Sequence, residues 1–170
     1  MMVHRFRIAT EMRRNTHNKF FLHRSDLVAK TKAGDTVVLI DDFAATGQQA
    51  CGAWEGVFAE LLSAGQKVIL MLMVATEGAL ERIGDGTQMN PVCNTVLRPA
   101  DDIFSSACRH FNTREKDKIL KYCNQADSGN PKGFGQAGLL VVFSHGCPNN
   151  TIPILHAQSS RWRGLFPAHA

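Results

Sequence analysis

Two unbroken apolar runs dominate the first half of the chain. Val37-Val38-Leu39-Ile40 leads into Asp41-Asp42, and Val68-Ile69-Leu70-Met71-Leu72-Met73-Val74 lies further on. Branched side chains pack well on a pleated surface, so both runs are read as buried strands. Between them Trp54, Val57, Phe58, Leu61 and Leu62 recur at i, i+3, i+4, i+7 and i+8, one face of a helix. Gly65 is placed to end that helix in a left-handed cap. Strand, helix, strand at this spacing predicts a βαβ unit with parallel strands and a right-handed crossover.

Ligands of such sheets bind beyond the carboxyl ends of the strands. There the sequence places two acids, then Phe43-Ala44-Ala45-Thr46-Gly47-Gln48-Gln49, small residues and a turn-tolerant Thr-Gly entering the helix. Free amides and the positive end of the helix dipole form an anion site, and the carboxylates suit sugar hydroxyls or hydrated Mg²⁺. Phosphate beside hydroxyls fits a ribose 5-phosphate. The segment from Val37 to Gln49 resembles the signature of type I phosphoribosyltransferases: apolar strand, acidic pair, small residues, Thr-Gly. The resemblance implies that Ala44, Ala45, Thr46, Gly47, Gln48 and Gln49 hold the 5-phosphate of phosphoribosyl pyrophosphate or a nucleotide, while Asp41 and Asp42 hold the ribose. Mg²⁺ is the implied cofactor if the chain is catalytic.

A phospho-receiver domain also begins with paired Asp residues after an apolar strand. It needs a further Asp at the end of a later strand and a Lys closing another. Asp85 follows a helical pattern instead, in Gly84-Asp85-Gly86, and no Lys closes an apolar run. A structural loop with solvated carboxylates and no ligand is the other alternative.

The flanking chain completes an expected α/β fold with a mainly parallel sheet flanked by helices. Val3 to Arg14 suits a basic amphipathic helix, Phe20 to His23 a short strand, and Ser25 the cap of a turn through Lys30. In the resembled family a strand and a pyrophosphate-binding loop come first. No apolar strand opens this chain, so both are expected to be missing, and the sequence reads as a candidate piece of a longer reading frame. Such a loss would leave an unpaired sheet edge, which favours a protein partner or a homo-oligomer. One domain is expected over 1–170, with a basic region at 1–34, the core and its phosphoribosyl loop at 35–98, and an extension at 99–170.

Beyond the core, Thr76 is expected to cap a helix through Ile83, ended by Gly84-Asp85-Gly86, before a strand from Val92 to Leu97. Asp101 and Asp102 read as helix-start acids. Asn112 or Thr113 opens a helix over 114–124, with Lys116, Lys118 and Lys121 outward and Ile119, Leu120 and Cys123 inward. Leu139 to Phe143 and Ile152 to Leu155 read as strands around a polar turn. Asn149, Asn150 and Thr151 either form that turn or face a base or sugar. Gly133 to Gly138 spells G-x-G-x-x-G, but a dinucleotide loop needs a strand before it and a helix after it. His145 and Cys147 are too few to bind a metal alone. Trp162 reads as an anchor for the C-terminal segment. The tail from Gly133 to Pro167 resembles phosphoribosyltransferase-like proteins of bacterial conflict and defence loci.

Composition adds limits. The 170 residues are 44% hydrophobic and 20% charged, ordinary for a globular chain with a real core. No apolar run reaches membrane-spanning length, and no secretory signal opens the sequence. Five cysteines without a C-x-x-C fit free thiols of a reducing cytoplasm rather than a disulfide or zinc framework. Residues 1–32 carry a net charge of +6 and the remainder −2. That basic segment could draw in a polyanionic ligand, contact nucleic acid or be a solvated face. It lacks the interleaved aromatics of a base-stacking surface, so a nucleic-acid partner is not expected. No general base or acceptor substrate can be named. A non-catalytic nucleotide or phosphoribosyl sensor is therefore the rival to a transferase.

Overall fold

The computed structural model describes residues 21–23, 26–63 and 65–166. Val3 to Arg14, Phe20 and Ser25, and with them any opening strand or loop at the start of the chain, lie outside the described residues. The chain divides into two compact units, residues 1–96 and 97–170.

The first unit is built on β1 (Thr36–Ala44), β2 (Lys67–Thr76) and β3 (Asn90–Leu97), a three-stranded all-parallel sheet in the order β1-β2-β3. β1 and β2 pair in register from Thr36↔Lys67 to Ala44↔Ala75. A one-turn helix α1 (Leu27–Lys30) precedes β1, while Phe21 to His23 form no strand, contrary to the sequence expectation. The crossover is helical from Gln48 to Ser63 in three pieces: α2 (Gln48–Ala53), a π-turn (Trp54–Phe58) and α3 (Ala59–Ser63). The π-turn is marked by Ala59, whose N–H reaches the carbonyl of Trp54, five residues back. Trp54 and Leu61 are buried and Phe58 and Leu62 pack beside them, so the anticipated apolar face survives the interruption; the side chain of Val57 is outside the description. Gly65, at φ 84, ends the helix as expected, with its N–H on Leu62 O and that of Gln66 on Leu61 O.

The register explains the core. Val37 and Leu39 stand beside Val68 and Leu70 on one face, with Leu72 next in line, and Trp54, Leu61 and Ile83 pack against them. The opposite face was expected to be buried too, because all-parallel sheets are normally covered on both sides. It carries Val38, Met71, Met73, Val92 and Val96, each between 41% and 46% exposed. β2 therefore alternates rather than reading as a wholly buried strand.

After β2, α4 (Glu77–Gly86) is capped by Thr76, whose hydroxyl accepts the N–H of Ala79. The helix runs through Gly84-Asp85-Gly86 instead of ending before it, and Thr87 closes it by donating to Ile83 O at 2.6 Å. Asp85 is an exposed helical residue, which removes the receiver-type site that the acidic pair alone would allow.

The second unit is organised by α5 (Thr113–Ala126). Asn112 accepts the N–H of Glu115 at 3.0 Å, and Glu115 accepts that of Asn112 at 2.8 Å, a reciprocal capping box. Cys123 is fully buried with Ile103 and Ile152, and Ile119 packs beside them. Lys116 departs from expectation: it is half-buried, its ammonium donating to Ser105 O at 2.7 Å and Cys108 O at 3.0 Å. Asp101 closes a 3-10 turn (Pro99–Asp101) by accepting the N–H of Arg98, and Asp102 accepts that of Phe104. The two expected C-terminal strands do not form. Leu139 and Thr151 make a single parallel bridge, Phe143 and Gly146 a single antiparallel one, and Pro153–Leu155 is a 3-10 turn. Pro148 and Pro153 have no N–H for a ladder, so β-branched composition is not enough to build one.

Gln66 is a weak point in the first unit. It is 2% exposed; its amide donates to Thr31 Oγ1 at 3.1 Å, but its carbonyl oxygen has no hydrogen-bond partner. A buried unsatisfied acceptor costs about 1–3 kcal/mol. Gln66→Met should therefore leave the midpoint of urea unfolding unchanged or raise it. A clear fall would show that the hydrogen bond to Thr31 outweighs the orphaned oxygen.

Candidate functional site

The sequence places Asp41 and Asp42 at the end of a strand; the structure carries β1 past both, to Ala44. Pairing to β2 continues through Phe43↔Val74 and Ala44↔Ala75, and that ladder keeps the backbone extended. The two acids are adjacent on the strand, and their carboxylates lie close enough to interact through a side-chain hydrogen bond as well as through charge. Asp41, paired with Leu72, shares the helix-covered face with Val37 and Leu39. Its Oδ1 accepts the N–H of Asp42 at 3.0 Å. Partial burial and the neighbouring Asp42 charge push the Asp41 carboxyl above the ordinary carboxylate range, against the opposing effect of that backbone hydrogen bond.

The turn from Ala45 to Gly47 joins the strand to α2. Gly47 is buried at φ 69, and a Cβ there would lie 2.9 Å from Ala79 O and 3.2 Å from Ile83 Cγ1. Only glycine meets both the left-handed backbone and the close approach to α4. Two further bonds tie the turn to the same helix. Thr76 Oγ1 donates to Ala45 O at 2.6 Å while accepting Ala79 N–H at 3.0 Å. Arg82 Nη1 donates to Thr46 O at 3.2 Å. With its carbonyls held on α4, the turn enters α2 with no side-chain cap hydrogen bond. Thr46 Oγ1 lies 3.4 Å from the N–H of Gln48, a long contact, and Cys51 N–H on Gly47 O at 3.0 Å closes the first helical turn. The first N–H groups of a helix have no partner within it. Apart from the long Thr46 contact to Gln48, no side-chain cap takes them, and they suit an anionic oxygen.

The structure thus brings Ala44, Ala45, Thr46, Gly47, Gln48 and Gln49 into one strand-to-helix turn, with Asp41 and Asp42 on the strand that feeds it. Arg82 has no sequence signal for this site, and Thr76 has only that of a helix cap. An Arg at the middle of an exposed helical pattern carries no local signal, because its contact lies 36 residues away.

The other candidate groups are occupied within the second unit. Asn150 donates to Phe134 O at 2.9 Å and Thr151 to Val141 O at 2.7 Å, while Thr151 N–H reaches Pro148 O at 3.0 Å. The segment is a turn, and its amide and hydroxyl are used by the protein itself. Gly133, Gly135 and Gly138 all have positive φ in an irregular loop, not a strand-to-helix turn. Burial pushes the thiols of Cys123 and Cys147 up, away from the thiolate form, and Cys123 is a core residue. His145 stacks on Phe143, and no group of three His, Cys, Asp or Glu that could hold a metal occurs among the described residues. Trp162 Nε1 donates to Ile154 O at 3.4 Å and its ring meets Tyr122 at 6.4 Å, the anchoring role expected for it.

Two outcomes follow from this geometry. Gly47→Ala should destabilise the fold by about 1–3 kcal/mol, through a strained φ and contact with Ala79 O, as chemical denaturation would register. An unaltered stability would mean that the turn is not clamped. The raised Asp41 carboxyl gives the second. The native state holds that proton more tightly than the unfolded chain does. Its contribution is therefore fully present below the unfolded value and lost as pH rises through the native one. Between about pH 3 and 7, Asp41→Asn should gain stability relative to the parent protein as pH rises, read as a growing difference in Tm. A constant difference would contradict the burial of this carboxyl.

No helix among the described residues is long and apolar enough to cross a membrane. No curated protein and no solved structure matches the sequence. A family model described as PRTase-CE matches residues 6–168. A match of that span covers both units, the acidic strand and the clamped turn alike, and the chain belongs to the PRTase-CE family, a phosphoribosyltransferase-like family associated with conflict systems.

Proposed function

We propose that residues 41–49 bind the 5-phosphoribosyl group of phosphoribosyl pyrophosphate or of a nucleotide. The observation that carries this reading is the turn at Ala45, Thr46 and Gly47, held on α4 by its carbonyls and entering an uncapped helix at the carboxyl end of a parallel strand. Family membership supports the same ligand class. The 5-phosphate takes the amides of the turn and of the first residues of α2, with the Thr46 hydroxyl beside it. Asp41 accepts a ribose hydroxyl, with the Asp42 carboxylate beside it.

Mg²⁺ belongs to this reading only with the substrate. Asp41 and Asp42 are neighbouring oxygen donors of the right class, two ligands that would need substrate oxygens to complete a site. Mg²⁺ usually keeps several waters and is held by one or two carboxylates together with substrate phosphates. If the chain is catalytic, the reaction is transfer of the phosphoribosyl group to a nucleophile with release of pyrophosphate. A sensor that binds the same group without turnover is the second reading.

Calorimetric titration with phosphoribosyl pyrophosphate and Mg²⁺ should show binding that Thr46→Val weakens about tenfold, the loss of roughly one hydrogen bond to a charged group. Binding that ignores the substitution would remove Thr46 from the site. Pyrophosphate release on adding acceptor nucleophiles selects the transferase; binding without release selects the sensor.

A further inference from the structure

The phosphate turn has a charge deficit that the sequence around it does not correct. Between Lys32 and Lys67 there is no Lys or Arg, while Asp41, Asp42, Glu55 and Glu60 all lie in that interval. A phosphoryl group bound there would meet backbone amides but no cation from the crossover itself, and it would sit near two carboxylates. Among the described residues, the tertiary structure brings a cation from elsewhere. Arg82, on α4, is exposed and reaches back to the turn, its Nη1 3.2 Å from the carbonyl of Thr46.

We propose that Arg82 is a phosphate-binding residue of this site, holding the turn with one N–H and offering the rest of its guanidinium to the phosphoryl oxygens. This rests on the phosphoribosyl reading above and adds to it the source of positive charge. A guanidinium presents five N–H donors in a rigid plane, and the structure gives one of them to Thr46. Arg82 forms no ion pair among the described residues, although Glu81 and Asp85 lie on the same helix. Its charge is therefore not neutralised by the helix that carries it. Its place is fixed from two directions, since its own carbonyl lies 3.7 Å from Cys51 Sγ on α2. Planar donors on a fixed backbone suit the bidentate recognition of phosphate. An Arg that served only to tie down a carbonyl would leave its charge without a use, and a neutral donor would do as well.

The test uses the full chain, with ribose 5-phosphate as the probe, titrated at several salt concentrations against the parent protein, Thr46→Val, Arg82→Gln and Arg82→Met. Arg82→Gln removes the charge and keeps a shorter neutral donor; Arg82→Met keeps the apolar stem, so at least one folded variant is expected, checked by circular dichroism. The expected result is a loss of tenfold or more in affinity for the folded Arg82 variant, with a shallower dependence on salt than the parent shows. Parent-like affinity, or weaker binding with an unchanged salt dependence, would overturn the proposal and leave Arg82 as a tether. If the parent fails to bind ribose 5-phosphate, or Thr46→Val binds it equally well, the site itself is misassigned and the proposal falls with it. Loss in Thr46→Val with no loss in the Arg82 variants rejects Arg82 alone.

Discussion

The packing of Gly47 against α4 governs this site. The backbone turns there at φ 69, close enough to Ala79 and Ile83 that a single added carbon would collide. That contact fixes where β1 stops and where α2 begins. It also turns the carbonyls of Ala45 and Thr46 towards α4, where Thr76 and Arg82 take them up. A peptide unit is planar, so a fixed carbonyl fixes the next amide. An amide array held by its own carbonyls need not reorganise when an anion arrives, and preorganised donors bind charge more strongly than mobile ones.

The surroundings of that turn are electrostatically lopsided. The strand brings acids, the crossover brings more, and among the described residues the cation hydrogen-bonded to the turn, Arg82, comes from the next helix. Asp41 shows the consequence on the protein side: partly buried and next to a second carboxylate, it holds its proton more tightly than a free carboxyl would. A hydroxyl-bearing ligand would offer that carboxylate a further donor, while a phosphate needs the opposite sign. The two ends of a phosphosugar have those complementary demands. The second unit has a different character. Its polar side chains (Asn150, Thr151, Lys116, Asp102) are satisfied by its own backbone, which makes them parts of the packing. Gly138 is held to glycine by Asp102, whose carboxylate fills the space a Cβ would need.

What the sequence determined by itself was local. The runs at 37–40 and 68–74, the helical spacing from Trp54 to Leu62, the left-handed end at Gly65 and the helix start at Asn112 or Thr113 each depend on residues within a turn or two of one another, and each element forms, although the 68–74 strand buries only one face and a π-turn interrupts the helix. The phosphoribosyltransferase resemblance was legible for the same reason, since its signature is one continuous stretch. Strand ends were not legible, because ladder pairing with β2 carries β1 through two charged residues that propensity would exclude. The C-terminal strands failed for the converse reason: branched apolar runs were present, but no partner of sufficient length pairs with them. The exposed sheet face, the orphaned oxygen of Gln66 and the approach of Arg82 to Thr46 were decided only by tertiary structure. Each depends on groups distant in sequence meeting, or failing to meet, in space, and no local pattern records such a meeting.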